Sequence, residues 1–389
     1  QIPITSPEEL EQAVARAREA QPAWEALGFE GRKALLEKAA AKFEARAEEI
    51  AEMAMREMGK PLADALREVR GYASNLASEL KEIGEAIAPT DHSTDTTETQ
   101  VVRVPHGVVA AITPWNFPVG MPVQILLPAL ATGNTAVFKP SEQTPLTGAA
   151  VAEVLGEFLP AGVLELVHGE GDVGAQLVDS AIDMVGFTGS RETGMKIMQA
   201  AASGLKRLVL ELGGKDPMVV FADADLEEAA EAAVRHSLRN TGQVCCAVER
   251  VYIEKSAAPK FEQLVTEKAA EWKHGPGSQE GVRMGPLVSR QQRSIVESQV
   301  QDAVAHGARL LAGGQTPDGP GWFYPATVLS DVGQELRMSR EETFGPVVAL
   351  TPFEGGEEED VRLANDTPYG FGASVFSGDI EKAQRVAEK

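Results

Sequence analysis

The sequence predicts an α/β protein built on open, doubly wound parallel sheets. From Gly107 onward, short β-like runs at 108–112, 135–139, 164–167, 184–187, 208–210 and 218–221 alternate with helical stretches such as 146–158 and 174–180. Strands alternating with helices at this spacing assemble as βαβ units with parallel strands. The length of 389 residues suits two domains rather than one. Asn116, Lys139, Gly169, Gly189 and Glu211 all fall at or just after the end of an expected strand. Ligands of such sheets bind beyond the carboxyl ends of the strands, so one site is expected there.

The elements before Gly107 read as helices. Ser6-Pro7-Glu8-Glu9 is a capping box with proline at the first helical position. Leu10, Val14 and Ala17 follow at helical spacing, and Pro22 is expected to end the run. A long helix is expected over 32–58, with Leu35, Leu36, Ala39, Phe43 and Ile50 on one side and Gly59 as its stop. A third should run over about 61–83. Residues 91–100, rich in Thr, Ser and Asp, read as an exposed loop or ribbon leading into 100–104.

Composition bounds the function. A hydrophobic content of 43% is ordinary for a globular chain. The net charge of −22 at pH 7 argues against nucleic acid and anionic membranes as partners, since both require basic patches. No apolar run is long enough to span a membrane. The 2 cysteines are adjacent, at Cys245 and Cys246, and consecutive Cα atoms lie too close for a relaxed disulfide. They are therefore expected as thiols in a reducing compartment, the cytoplasm.

Several residues stand out chemically. The approach to the cysteines, Arg239-Asn240-Thr241-Gly242-Gln243-Val244, is polar and contains glycine, unlike a core helix. Glu211 closes an apolar run and precedes Gly213-Gly214, a poor place for a merely solvated charge, so a partly apolar position is expected. Gly169, Gly171 and Gly174 fit G-x-G-x-x-G between a strand and a helix, a weak dinucleotide signature. The acidic residue that usually ends the next strand is missing, because that strand leads into Phe187-Thr188-Gly189-Ser190.

Taken in order, TPWNFP from Thr113, KPSEQTP from Lys139, GFTGS from Gly186, ELGGK from Glu211, NTGQVCC from Asn240 and EETFGPV from Glu341 resemble the aldehyde dehydrogenase superfamily. The resemblance covers essentially the whole chain. It implies two doubly wound open-sheet domains and a protruding oligomerisation ribbon. The expected layout is an NAD(P)-binding domain at 1–86 and 106–212, a ribbon at 87–105 and a catalytic domain at 213–389. A homodimer or homotetramer is implied as well. Against the family the chain looks short at both ends, which fits either a reduced form or a fragment.

The same resemblance assigns roles. Cofactor contacts fall on Thr113, Pro114, Trp115, Lys139, Ser141, Glu142, Gly171, Gly174, Phe187, Thr188, Gly189, Ser190, Leu212, Glu342 and Phe344. Glu142 would accept hydrogen bonds from both ribose hydroxyls and repel a 2′-phosphate, favouring NAD, while Ser141 and Lys139 could tolerate NADP. The catalytic set is Cys245, Glu211, Asn116 and Lys139. Hydride can leave only a tetrahedral carbon, so a thiolate must add first, and thiolate later leaves well. Cys245 matches the family nucleophile, the Asn116 amide and the Cys245 N–H its oxyanion donors, and Glu211 its water-activating base. No metal is expected.

The aldehyde is implied to meet Phe117, Met121, Gln124, Arg239, Val244 and Cys246. Arg239 matches an arginine that holds the distal carboxylate in succinate-semialdehyde dehydrogenases, but Gln124 replaces its usual second arginine. The stretch after Val244 also looks like lactaldehyde and glycolaldehyde dehydrogenases. Three alternatives stand beside this reading: a CoA-acylating relative, which needs no base such as Glu211; a non-catalytic relative; and a cofactor-free cysteine hydrolase. The last needs a histidine partner, and the 6 histidines form no such motif.

Overall fold

The computed structural model describes residues 2–389 and divides into two compact units. The first holds the residues through Glu57 together with Ala63–Leu212. It opens with α1 (Pro7–Ala26), capped as the sequence predicts: Glu9 N–H donates to the Ser6 hydroxyl and Ser6 N–H to the Glu9 carboxylate. Pro22 does not end this helix. It sits on the exposed side, where water can satisfy the carbonyl it leaves unpaired, and buried Trp24 just beyond it donates to the Leu130 carbonyl at 2.9 Å.

The expected single helix over 32–58 is three segments, α2 (Gly28–Leu36), α3 (Lys38–Ala45) and α4 (Ala47–Met58). At the second break the Arg46 guanidinium reaches both Glu49 and Glu153. Next come α5 (Leu62–Ile87) and a short exposed antiparallel ribbon of β1 (Thr90–Asp91) and β2 (Gln100–Val101).

The rest of the unit alternates as expected: β3 (Val108–Ile112), α6 (Gly120–Ala131), β4 (Thr135–Lys139), α7 (Pro145–Gly156), β5 (Leu164–Leu166), α8 (Gly171–Asp179), β6 (Met184–Thr188), α9 (Arg191–Ala202) and β7 (Arg207–Glu211). The strands form one parallel sheet in the order β5-β4-β3-β6-β7. β3 and β4 are buried along their whole length, which explains the apolar run of β3 and the Ala136-Val137-Phe138 centre of β4. β7 is the edge strand and alternates between exposed and half-buried positions, leaving Glu211 exposed. The partly apolar setting expected for that carboxylate is therefore not what its strand provides.

The second unit holds Met58–Leu62 and Gly213–Lys389. Its elements are β8 (Asp216–Val220), α10 (Leu226–Leu238), β9 (Val248–Glu254), α11 (Ala258–Ala269), α12 (Arg290–Ala305), β10 (Arg309–Ala312), β11 (Thr327–Ser330), α13 (Arg337–Arg340), β12 (Val347–Phe353), α14 (Glu357–Asn365), β13 (Ser374–Phe376) and α15 (Ile380–Ala387). Six strands run β10-β11-β12-β9-β8-β13, parallel except where β10 joins β11. Met218, Val220, Val251 and Ile253 pack with α10 and α11 through Ala233, Val234 and Phe261 to form its main core.

Candidate functional site

In the first unit the chain runs β3, β4, β5 to one side and then crosses back to β6 and β7 on the other. β3 is thus the point where the winding reverses, and the turns leaving it and β6 diverge to open a crevice. The register fixes its edge: Ile112 pairs with both Lys139 and Phe187, and Thr188 pairs with Glu211. A pocket of ≈ 460 Å³ lies there. Thr113, Pro114 and Trp115 line it from the turn after β3, and Lys139, Ser141 and Glu142 from the turn after β4. Gly171 and Gly174 line it from α8, and Phe187, Thr188, Gly189 and Ser190 from the β6–α9 turn.

Leu212 is absent from that lining; its side chain packs against Gly194 of α9, where a Cβ would come within 2.5 Å of Leu212 Cδ2. The sequence reading missed the helical walls, Ala175 and Val178 on α8 and Thr193, Lys196, Ile197 and Ala200 on α9. Their signal is the 3.6-residue period counted onward from Gly171, Gly174 and Ser190.

The pocket fits a dinucleotide. Helices α8 and α9 start at it, and their first N–H groups favour an anion such as a pyrophosphate. Thr113 Oγ1 is buried at the wall without a hydrogen-bond partner. A Cβ on Gly171 would meet nothing within 4 Å, so the backbone there is open to close approach. Lys139 is buried and donates to the Pro140 carbonyl at 3.1 Å; burial lowers its pKa, against the opposing fields of Glu142, Asp172 and Glu170. Glu142 is exposed, with Oε2 3.5 Å from Ser141 Oγ.

The stretch after the pocket is pinned by residues that carry no sequence signature. Asn116 is buried in the turn and Phe117 half-buried, and the Phe117 carbonyl accepts from Met121 N–H at 3.0 Å. No side chain of α6 caps its own start. Glu68 of α5 does so instead, accepting from Val119 and Gly120 N–H at 3.0 and 2.8 Å, and its charge suits the positive end of the helix. Gln124 donates to the Tyr72 hydroxyl at 3.1 Å. At the sheet edge the Glu211 carbonyl accepts from Gly189 N–H at 3.0 Å.

In the second unit the cysteines follow α10 through a turn held by its own motif. Asn240 Nδ2 donates to the Gln243 carbonyl and Gln243 Nε2 to the Asn240 carbonyl, each at 3.1 Å. Gln243 Oε1 accepts from Val288 N–H at 2.9 Å, and Thr241 Oγ1 donates to the Gly285 carbonyl at 3.1 Å. Asn240, Thr241 and Gly242 have φ of 52°, 60° and 71°, three consecutive left-handed residues. At Gly242 a Cβ would collide with the Gly345 carbonyl, so glycine is obligatory. This scaffold brings Cys245 out half-buried and Cys246 exposed. Coupling between the adjacent thiols lowers the Cys246 pKa to about 6, with Arg239 adding to the effect, and raises that of Cys245. The pair thus gives up its first proton easily and its second with difficulty. Arg239 is exposed at the end of α10, and Val244 is buried.

Glu342 and Phe344 lie in the same unit, on a loop clamped from beneath. Glu249 of β9 accepts from Thr343 and Phe344 N–H, both at 2.8 Å, and from Lys215 Nζ at 2.5 Å. Glu342 Oε1 accepts from Gly214 N–H at 3.1 Å. Phe344 has φ 51°, a conformation that must be held by its surroundings. The clamp residue Glu249 was not legible in the sequence, because a carboxylate in a strand, three residues past a cysteine pair, has no cue to what it touches.

A model of the Aldehyde dehydrogenase family matches residues 1–389. A protein of Sinorhizobium fredii named probable succinate-semialdehyde dehydrogenase [NADP(+)] is 36% identical over 395 residues, covering 100% of this chain and 80% of that one. The crystal structure of lactaldehyde dehydrogenase from Escherichia coli superimposes with a TM-score of 0.95 at 37% identity, over 100% of this chain and 82% of that one. Betaine aldehyde dehydrogenase from Staphylococcus aureus, solved with NAD+, gives a TM-score of 0.93 at 36% identity, over 100% and 78%.

Proposed function

This chain belongs to the aldehyde dehydrogenase family, and from that premise we propose that it oxidises an aldehyde to a carboxylic acid with NAD, and less readily with NADP. The observation that carries the reading is the pocket on the first unit's sheet edge, whose lining coincides with the cofactor contacts implied by the sequence from Thr113 through Ser190. Lys139 and Glu142 would hold the ribose hydroxyls, and the starts of α8 and α9 the pyrophosphate. Glu342 and Phe344 would orient the nicotinamide end.

Cys245 acts as nucleophile, its thiolate forming a C–S bond to the aldehyde carbon while the carbonyl oxygen takes the charge. The Asn116 amide and the Cys245 N–H donate to that oxygen. Bound NAD or NADP supplies the hydride acceptor that leaves a thioester on Cys245. Glu211 removes a proton from water, which attacks the thioester and releases the acid and the thiolate. Cys246 is not needed for these steps.

Arg239 would hold a distal carboxylate, making an ω-carboxy aldehyde such as succinate semialdehyde one substrate class, as the name of the Sinorhizobium relative suggests. Small hydroxyaldehydes are the second class, supported by the likeness to lactaldehyde dehydrogenase and by Gln124, which bonds Tyr72 where the two-arginine clamp would need a cation. The first unit would serve as the NAD(P) domain and the second as the cysteine domain, and the exposed β1–β2 ribbon would serve self-association. The test is NADH or NADPH formation from a panel of aldehydes with NAD, with NADP and with added CoA. Turnover without CoA supports hydrolysis, and strict dependence on CoA overturns it.

A further inference from the structure

The pocket on the first unit's sheet edge is lined unevenly. Near the helix starts its walls carry glycine and hydroxyl groups, Gly171 and Gly174 on α8 and Ser190 and Thr193 at α9. Farther along the helices the lining becomes an apolar slot, with Ala175 and Val178 on one wall and Ile197 and Ala200 on the other. Val178 and Ile197 belong to one packed cluster. Two charged side chains border this slot, Asp179 from α8 and Lys196 from α9. At roughly 1.5 Å per residue, Asp179 lies about 12 Å along its helix from Gly171, and Lys196 about 9 Å from Ser190.

Neither charge is committed to a partner. Among the described residues, the Asp179 carboxylate and the Lys196 ammonium make no side-chain hydrogen bond or ion pair, and both residues are exposed. Lys206, whose charge Asp179 feels, donates to the Val178 and Ser180 carbonyls instead. With the pyrophosphate at the helix starts and a ribose at Lys139 and Glu142, the base of a dinucleotide is left for the slot. Apolar walls suit a flat ring, and the rim offers it one acceptor and one donor on opposite sides.

We propose that Asp179 and Lys196 read the edge of the cofactor's adenine, Asp179 accepting from the 6-amino group and Lys196 donating to N1. The pocket thereby selects adenine over other purines, an inference that rests on reading it as a dinucleotide site. Hypoxanthine, the same ring with oxygen at position 6, reverses both roles: its oxygen accepts and its N1–H donates. The carboxylate then faces an oxygen and the ammonium an N–H, so each charged group loses its partner. Because the two side chains come from different helices, they cannot exchange places. Asparagine at 179 can present either its carbonyl or its amide N–H and serves both bases, while methionine at 196 keeps an unbranched side chain and removes the donor.

The test is the Kd of the full chain for NAD and for nicotinamide hypoxanthine dinucleotide, measured by isothermal titration calorimetry without aldehyde. The two ligands differ only at the edge of the base, so the ratio of their Kd values isolates its recognition. NAD should bind about 3-fold or more tightly than the analogue, a modest factor because both side chains meet solvent. Asp179→Asn should bring the ratio toward one, and combining it with Lys196→Met should abolish the preference. A smaller wild-type ratio, or one that Asp179→Asn leaves unchanged, overturns the proposal. Equal binding of both dinucleotides removes this proposal alone; saturable binding of neither removes the dinucleotide reading of the pocket and this proposal with it.

Discussion

Lys215 and Glu249 form an ion pair sealed inside the second unit, with Nζ and Oε2 2.5 Å apart and side-chain exposures of 0% and 6%. Burial drives the Lys215 pKa down and the Glu249 carboxylate opposes it. The pair is completed by Thr343, whose hydroxyl accepts from Lys215 at 3.0 Å and donates to Gln299 at 2.8 Å. Its consequence is the fixed course of the loop carrying Glu342 and Phe344.

Breaking one partner should therefore be costly. Glu249→Gln is expected to lower stability by about 3 to 5 kcal/mol in chemical denaturation, because it strands a buried ammonium. Combining it with Lys215→Met should cost less than Glu249→Gln alone, because the ammonium is no longer stranded while the glutamine can still accept from the loop N–H groups. A single variant within about 1 kcal/mol of the wild type would show that the pair carries no such weight.

Asp216 makes a prediction about stability as well. Burial pushes its folded pKa up to about 7, above the ordinary 3.8, so the unfolded chain loses this proton first. The group's stabilising effect is full below the ordinary value and is lost as pH rises toward the folded one, at about 1.4 kcal/mol per unit. The Tm of the wild type should therefore fall more steeply than that of Asp216→Asn between about pH 4 and about pH 7. Parallel slopes would contradict the assignment.

Much of the first unit was legible because its strands are buried on both faces. Residues 108–112 and 135–139 are unbroken runs of residues that fit a buried strand, and the structure places β3 and β4 on the same bounds. The pocket was legible for the same reason, since each expected residue follows a strand whose end was visible. Pro22 misled because a proline's effect depends on which side of the helix meets water. Glu211 misled because Leu208 and Leu210 suggest burial, while an edge strand shields only alternate positions. Glu68 and Glu249 could not be read at all: their roles lie in partners 51 and 94 or 95 residues away along the chain.

Cofactor choice tests the β4–α7 turn. Glu142 is exposed at the pocket beside Ser141, where a carboxylate would meet a 2′-phosphate unfavourably. NAD should give the higher kcat/KM, and Glu142→Ser should narrow the gap by about 10-fold, the equivalent of one charge contact of about 1.4 kcal/mol. A wild type that prefers NADP would show that Lys139 and Ser141 dominate.

Substrate choice tests Arg239. If it anchors a distal carboxylate, Arg239→Ala should raise KM for succinate semialdehyde about 10-fold or more while sparing an uncharged aldehyde of similar length. Equal damage to both would assign Arg239 to the end of α10 and to the Cys246 thiol that it already favours as an anion.

The most direct measurement is rapid quench of the wild type during aldehyde oxidation, with intact-mass and peptide analysis of the cysteine loop. The acyl group should be found as a thioester on Cys245. Cys245→Ala should bind NAD yet form neither thioester nor NADH, and Cys246→Ala should form both. Glu211→Gln should accumulate the thioester after a normal burst of NADH, because only release needs the base. An acyl group on Cys246, or equal loss of the burst in both cysteine variants, would contradict the account.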